Sequence, residues 1–170
     1  MSGTALIRPR QAADLAACVA VLDEVHRADG YPAHWPADPA RWLAPSRLLS
    51  AWVAELDGVV VGHVALSSAG PDGTAERWSA HSGRPVADAV EVTRLFVAKA
   101  ARGRALGGQL LDAACAAARD RGRHPVLGVL QHNLAAVALY DRAGWQLLST
   151  VDFPLPDGRM SRLHCYSAQY

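Results

Sequence analysis

Residues 90–108 decide the fold: Val90-Glu91-Val92-Thr93-Arg94-Leu95-Phe96-Val97, then Ala98-Lys99-Ala100-Ala101, then Arg102-Gly103-Arg104-Ala105-Leu106-Gly107-Gly108. The first eight form a β-branched run that predicts a central strand. A helix is predicted from Arg104 to about Asp120, because Leu106, Leu110, Ala113 and Ala117 fall on one face while Gln109, Asp112 and Arg119 fall elsewhere. A strand thus passes through a glycine-rich corner into a helix. Backbone N–H groups at such a helix start have no internal partner, and the helix dipole favours negative charge in front of them. Arg94, Lys99, Arg102 and Arg104 add four cations, with no acid anywhere between Arg94 and Arg104. The stretch reads as one anion site suited to a pyrophosphate. Glycine at 103, 107 and 108 permits unusual backbone angles and close approach of the main chain to a ligand.

Two better-known glycine loops do not fit. A nucleotide-hydrolase loop needs Gly-Lys followed by Ser or Thr, whereas Gly108 is followed by Gln109 and Leu110. A dinucleotide fold puts its glycine turn after the first strand, and here three or four predicted strands come first.

Working outward, Thr4 to Arg8 predicts a strand, and Leu15, Cys18, Val19, Leu22 and Val25 mark an amphipathic helix that Gly30 ends. Pro32, Pro36, Pro39 and Pro45 forbid a long helix between Tyr31 and Pro45, leaving a loop-rich cap with Trp35 and Trp42 as anchors. Ala51 to Leu56 and Val59 to Ser67 flank Asp57-Gly58, a hairpin turn. Ser68 to Asp88 is polar and rich in Gly and Pro, and is expected as an irregular excursion between paired strands. After the central helix come a strand at Pro125 to Leu130, a helix capped by Asn133 and stopped by Gly144, and strands at Trp145 to Val151 and Met160 to Ser167. This order describes an α/β domain with a mixed sheet.

Composition sets the bounds. The 170 residues are 51% hydrophobic and 19% charged, enough for one packed core and against wholesale disorder. Seventeen Lys and Arg against sixteen Asp and Glu leave a net charge of +1, which argues against a nucleic-acid footprint or an anionic membrane surface. No segment is long and apolar enough to span a bilayer or to act as a secretory signal, and three scattered cysteines fit a reduced, cytoplasmic chain. No His or Cys spacing suggests a metal site.

Leu95-Phe96-Val97 followed by Arg102-Gly103-Arg104-Ala105-Leu106-Gly107 resembles the strand and pyrophosphate loop of the GNAT superfamily of acetyl-coenzyme A-dependent N-acetyltransferases, with Ala105 where the pattern R-x-x-G-x-G/A has its middle glycine. A second block agrees: Asn133, Ala136, Leu139-Tyr140 and Gly144-Trp145 are similar to N-x-x-A-x-x-L-Y-x-x-x-G-F, with Trp145 for Phe. Ile7-Arg8-Pro9 and Ala12 to Leu15 are similar to the family's opening strand and helix. The resemblance implies an α/β fold of GNAT type: a mixed, mostly antiparallel central sheet of six to seven strands flanked by about four helices, in one domain over residues 1–170.

It further implies acetyl transfer from acetyl-CoA to an amine-bearing acceptor without a metal. In the family, main-chain groups at Leu95, Phe96 and Val97 meet the pantetheine arm and the thioester, and Arg102, Gly103, Arg104, Ala105, Leu106, Gly107 and Gly108 meet the pyrophosphate. Arg102 and Arg104 read otherwise as a solvated basic turn. Tyr140 is either an aromatic packed on the sheet or the acid beside the coenzyme sulfur, where a phenol of pKa ~10 is matched to a departing thiolate. Asn133 is an N-cap that can also serve the cofactor. Glu91 is either a salt-bridge partner or the carboxylate that deprotonates the amine. His63 reads as a satisfied core group, and His81 and His132 as loop residues. Tyr31, Trp35, Trp42 and Trp78 cover the sheet or wall an acceptor pocket, with Tyr31 and Trp35 as the substrate-binding candidates. A homodimer is compatible with the resemblance. The alternative from another class is a degenerate acyl-CoA-binding sensor or interaction module, which Ala105 keeps open.

Overall fold

The computed structural model describes residues 3–169. Along the chain come β1 (Ala5–Pro9), α1 (Leu15–Asp29), α2 (Pro39–Trp42), β2 (Leu48–Leu56), β3 (Val59–Ser67), α3 (Thr74–Ser82), β4 (Ala89–Val97), α4 (Leu106–Asp120), β5 (His124–Leu130), α5 (Leu134–Arg142), β6 (Gln146–Pro154) and β7 (Met160–Ser167), with short 3₁₀ turns between some of them. The seven strands form one sheet in the order β1-β2-β3-β4-β5-β7-β6. Every neighbouring pair is antiparallel except β4 and β5. The expected mixed, mostly antiparallel sheet is present, with five helices, one of them a single turn.

Two helices pack on β3 and β4 from their apolar stripes: Cys18, Val21, Leu22 and Val25 of α1, and Leu106, Leu110, Leu111 and Ala114 of α4 are all buried. Successive strand residues point to opposite faces of a sheet. Gly62 lies under α4, where an added Cβ would sit 3.1 Å from Leu110 Cδ1 and 3.2 Å from the Phe96 carbonyl, so a side chain there would hold the helix off the sheet. The next residue, His63, meets Arg10 and Phe96 instead. Truncating a fully buried leucine such as Leu110 to alanine costs about 2–5 kcal/mol in cores of this kind.

The segment from Ser68 to Asp88 departs from expectation. It contains α3, bounded by Gly73 at φ +80° and Gly83 at φ +76°. Its buried face is only Thr74, Ala75 and Trp78, too short a stripe to stand out in a polar sequence. Of its two readings, Trp78 takes that of cover for the sheet. It stacks on His124 at 5.0 Å under the Arg84 guanidinium, in a second small core with Ala75, Ala89 and Val126. No helix among the described residues is long and apolar enough to cross a membrane.

Candidate active site

The sheet comes apart at its centre. β4 and β5 are paired only from Ala89↔His124 to Glu91↔Val126, after which β4 continues without a β5 partner. On its other side, β4 slips against β3 between Ala65↔Thr93 and His63↔Phe96, so that Arg94 and Leu95 together oppose Val64. That β-bulge puts Arg94 at φ +55°, a conformation uncommon for a side-chain-bearing residue.

His63 braces the bulge. Its Nδ1 lies 2.9 Å from the Arg94 carbonyl, which can only accept, so Nδ1 carries the proton and donates. Nε2 then accepts from Arg10 Nη1 at 3.0 Å, and Arg10 also donates to the Leu43 carbonyl at 2.7 Å. The ring is fully buried and stacked on Phe96 at 5.2 Å. Burial, reinforced by the charges of Arg10 and Arg94 and only partly offset by the Arg94 carbonyl, pushes its pKa down to about 4. The imidazole is therefore neutral.

Two clefts open on either side of Leu95. The glycine-loop cleft, about 580 Å³, is lined by Leu95, Phe96 and Val97, by Arg102, Gly103, Ala105, Leu106, Gly107 and Gly108, and by Asn133 from the start of α5. The first N–H of α4 with a helix carbonyl is that of Gln109, to Ala105 at 3.1 Å, which leaves those before it free for a ligand. Added Cβ atoms at Gly103 and Gly108 would meet nothing within 4 Å, so the cradle has room for a bound group. Of the three glycines read as conformationally special, Gly103 takes a positive φ, +81°, whereas Gly107 and Gly108 are helical. The other left-handed residue of the loop is Ala105 at φ +61°.

The carboxylate-lined cleft, about 400 Å³, lies in the fork between β4 and β5, where Thr93–Leu95 face Gly128–Leu130. Glu91 sits at its base, 3% exposed, with Arg47 Nη1 at 3.4 Å. Burial pushes the Glu91 carboxyl up to about 7, and the neighbouring Asp72 carboxyl adds to the rise. The Gly70 N–H and Arg47 pull the other way. Asp72 is itself fixed by the Thr74 N–H at 2.9 Å. Tyr140 closes the cleft opposite, buried against Trp145 and Tyr166, and burial drives its phenol well above the ordinary value. Its hydroxyl makes no hydrogen bond among the described residues.

Several sequence-predicted residues fall where expected and others do not. Leu95, Tyr31 and Asn133 line both clefts. Asn133 stands at the N-cap of α5, yet its side chain makes no cap hydrogen bond. The four-cation window is not one anion site: Arg102 lines the glycine-loop cleft, Arg94 the carboxylate-lined cleft, and Lys99 and Arg104 neither. Arg102 pairs with Asp29 at the end of α1 and donates to the Val97 carbonyl at 3.1 Å. Trp35 lines neither cleft and packs on His26 at 5.2 Å, whereas Tyr31 and Trp42 form the cap wall. Asp72 and Arg47 were missed: both lie in loops whose path to Glu91 no local pattern reveals. Among the described residues no cluster of His, Cys, Asp and Glu could hold a metal ion.

The sequence matches the acetyltransferase (GNAT) family over residues 18–145. No curated protein matches the chain. Among solved structures it is similar to a ribosomal-protein-alanine N-acetyltransferase from Brucella melitensis, at 27% identity and TM-score 0.73, covering 97% of this chain and 99% of that one. It is also similar to NAA60 of Arabidopsis thaliana in complex with acetyl-CoA, at 20% identity and TM-score 0.72, over 96% and 97% of the two chains. A GCN5-related N-acetyltransferase from Kribbella flavida aligns at 23% identity and TM-score 0.70, over 98% of each chain. The last two bear on the fold alone. A split sheet, a bulged central strand, a glycine loop opening α4 and a family match over most of the sequence lead to one conclusion: the chain belongs to the GNAT family of acetyl-CoA-dependent acyltransferases.

Proposed function

We propose that the protein transfers the acetyl group of acetyl-CoA to the primary amine of a small acceptor by direct attack, with the coenzyme in the glycine-loop cleft and the amine in the carboxylate-lined cleft. The observation that carries this reading is the meeting of the two clefts at Leu95, with Glu91 and Tyr140 both facing the second. The free N–H groups of residues 103–108 and Arg102 hold the pyrophosphate. Unpaired main-chain groups of β4 beyond Glu91 hold the pantetheine arm and the carbonyl oxygen, on which negative charge develops during attack. Confinement of both reactants between β4 and β5 supplies much of the remaining acceleration.

Glu91, with a pKa near neutrality, takes a proton from the incoming ammonium and passes it to solvent. The amine nitrogen forms the new C–N bond as the C–S bond breaks. Tyr140, which stays protonated at any working pH, gives its proton to the departing sulfur and recovers one from the amide nitrogen, so the products are an amide and a free thiol. An acceptor screen with mass detection of the acetylated product, run beside a thiol-release assay, tests the proposal. Thiol release that depends on an added amine and matches acetylated product is expected. Release at the same rate with every amine and with none would overturn it.

A further inference from the structure

The carboxylate-lined cleft holds two arginines, and they differ in one respect. Arg47 is compensated: its Nη1 lies 3.4 Å from Glu91 Oε2 and donates to the Ser68 carbonyl at 3.0 Å. Arg94 has no anion. Among the described residues no carboxylate lies within ion-pair distance of it, and its one protein acceptor is the Trp42 carbonyl, 3.3 Å from Nε. Both terminal nitrogens are left without a protein partner among the described residues.

This guanidinium is nevertheless firmly placed. It lies over the Trp42 indole, its central carbon 4.0 Å from the ring centroid, and Trp42 is in turn packed edge-on against Tyr31. Its backbone is set by the bulge and by the His63 bond to its carbonyl. The side chain is only partly exposed, and burial disfavours its charge. A half-buried cation, held rigid in a cleft, has lost water without gaining a carboxylate at hydrogen-bond distance. Its two free nitrogens present the parallel donor fork that matches a carboxylate. At the base of the same cleft, Glu91 and Asp72 form a region suited to an ammonium.

We infer that Arg94 is the subsite for a carboxylate carried by the acceptor, so that the enzyme acts on small aminocarboxylates whose amine reaches Glu91 while their carboxylate docks on the guanidinium stacked over Trp42. This rests on the assignment of that cleft to the acceptor. It narrows the substrate class from primary amines in general to those bearing a negative charge, and it gives the strained position of Arg94 a purpose, because strain of this kind gathers at ligand clamps.

The test is a matched panel: each of the twenty common amino acids beside its C-terminal amide, with β-alanine and γ-aminobutyrate beside their amides. Acetylated product is quantified by mass spectrometry for the parent protein, Arg94→Gln and Arg94→Lys. For the parent, at least one carboxylate should exceed its own amide by ten-fold or more in kcat/KM. The R94Q protein should bring that ratio close to one, and R94K, which keeps the charge but loses the fork, should fall between. Amides that match or exceed their carboxylates in the parent overturn the inference without any variant, so a misfolded R94Q cannot rescue it. A ratio unchanged in folded R94Q overturns it as well. Acetylation of neutral amines alone would sink the carboxylate subsite and leave the transferase reading intact. Absence of product with every amine would sink both, and thermal stabilisation by acetyl-CoA would then show whether the donor cleft survives.

Discussion

His63 Nδ1 donates a 2.9 Å hydrogen bond to the carbonyl of Arg94, at the point where the β3–β4 ladder slips by one residue. A buried, neutral histidine therefore fixes the direction of the strand segment that separates the two clefts. The folded ring has a pKa of about 4 and the unfolded ring about 6.5. Between those values the unfolded chain binds a proton that the folded chain does not, so the contribution of His63 to stability falls as pH drops through this window and levels off below it. The loss is on the order of 3 kcal/mol. Glu91 works with the opposite sign over nearly the same range, so the His63 contribution is read as a difference: in urea denaturation the parent should exceed His63→Gln by about 1–3 kcal/mol at pH 7.5, and that advantage should vanish or reverse at pH 4.5.

Glu91 gives the opposite sign. Its carboxyl titrates near 7 in the folded protein and near 4.5 when unfolded, so the folded chain binds the extra proton between those values and stability declines as pH rises through them. The same ionisation produces the base. With saturating acetyl-CoA, kcat/KM for the amine should climb through pH 7. Glu91→Gln should erase that limb and lower turnover by about 10²-fold or more, while being more stable than the parent at pH 8.5. Equal stability together with full activity would remove Glu91 from the proton path.

Much of this was legible in sequence. Strand periodicity and the glycine corner located β4 and α4, because both depend on local pattern. Glu91 and Tyr140 came from family resemblance and were brought to one cleft by the fold. The division of the basic window was hidden, because a bulge at Arg94 re-aims one side chain and only the tertiary fold places α2 and Trp42 beneath it. The Asp72 carboxyl beside Glu91 was equally hidden. Its loop is set by α3, a helix held by the burial of one tryptophan rather than by a long apolar stripe.

Tyr140→Phe should reduce turnover roughly 10–10²-fold and leave acetyl-CoA affinity within two-fold, since the ring and its packing on Trp145 and Tyr166 are retained. Burial keeps the phenol protonated, so no limb of the parent's pH profile below about pH 10 should belong to it. Pre-steady-state thiol release is the measurement that isolates this proton.

Ala105 occupies the left-handed region at φ +61°, where a β-carbon costs roughly 1–2 kcal/mol. Ala105→Gly relieves that strain, and the greater freedom of unfolded glycine takes back part of it, for a net gain of about 0.5–1 kcal/mol. It also removes a methyl group from the glycine-loop cleft. A higher urea midpoint and tighter acetyl-CoA binding by titration calorimetry are expected. A fall in both would mean the methyl group packs usefully.

Arg102 and Arg104 should separate. Arg102 lines the cleft and ties the loop to Asp29 and Val97, whereas Arg104 is exposed and lines neither cleft. At physiological salt Arg102→Ala should weaken acetyl-CoA binding about ten-fold, and Arg104→Ala less than three-fold, since a screened surface charge contributes little. Equal losses would assign Arg104 to the phosphate.

The three registered pairs between β4 and β5 are a short rivet joining two plates, one of β1 to β4 and one of β5 to β7. α3 and α4 each lie across that joint, and the Trp78–His124 stack clamps its closed end where β5 begins. The fork proposed to admit the acceptor thus opens from a joint held by a tryptophan that lines neither cleft.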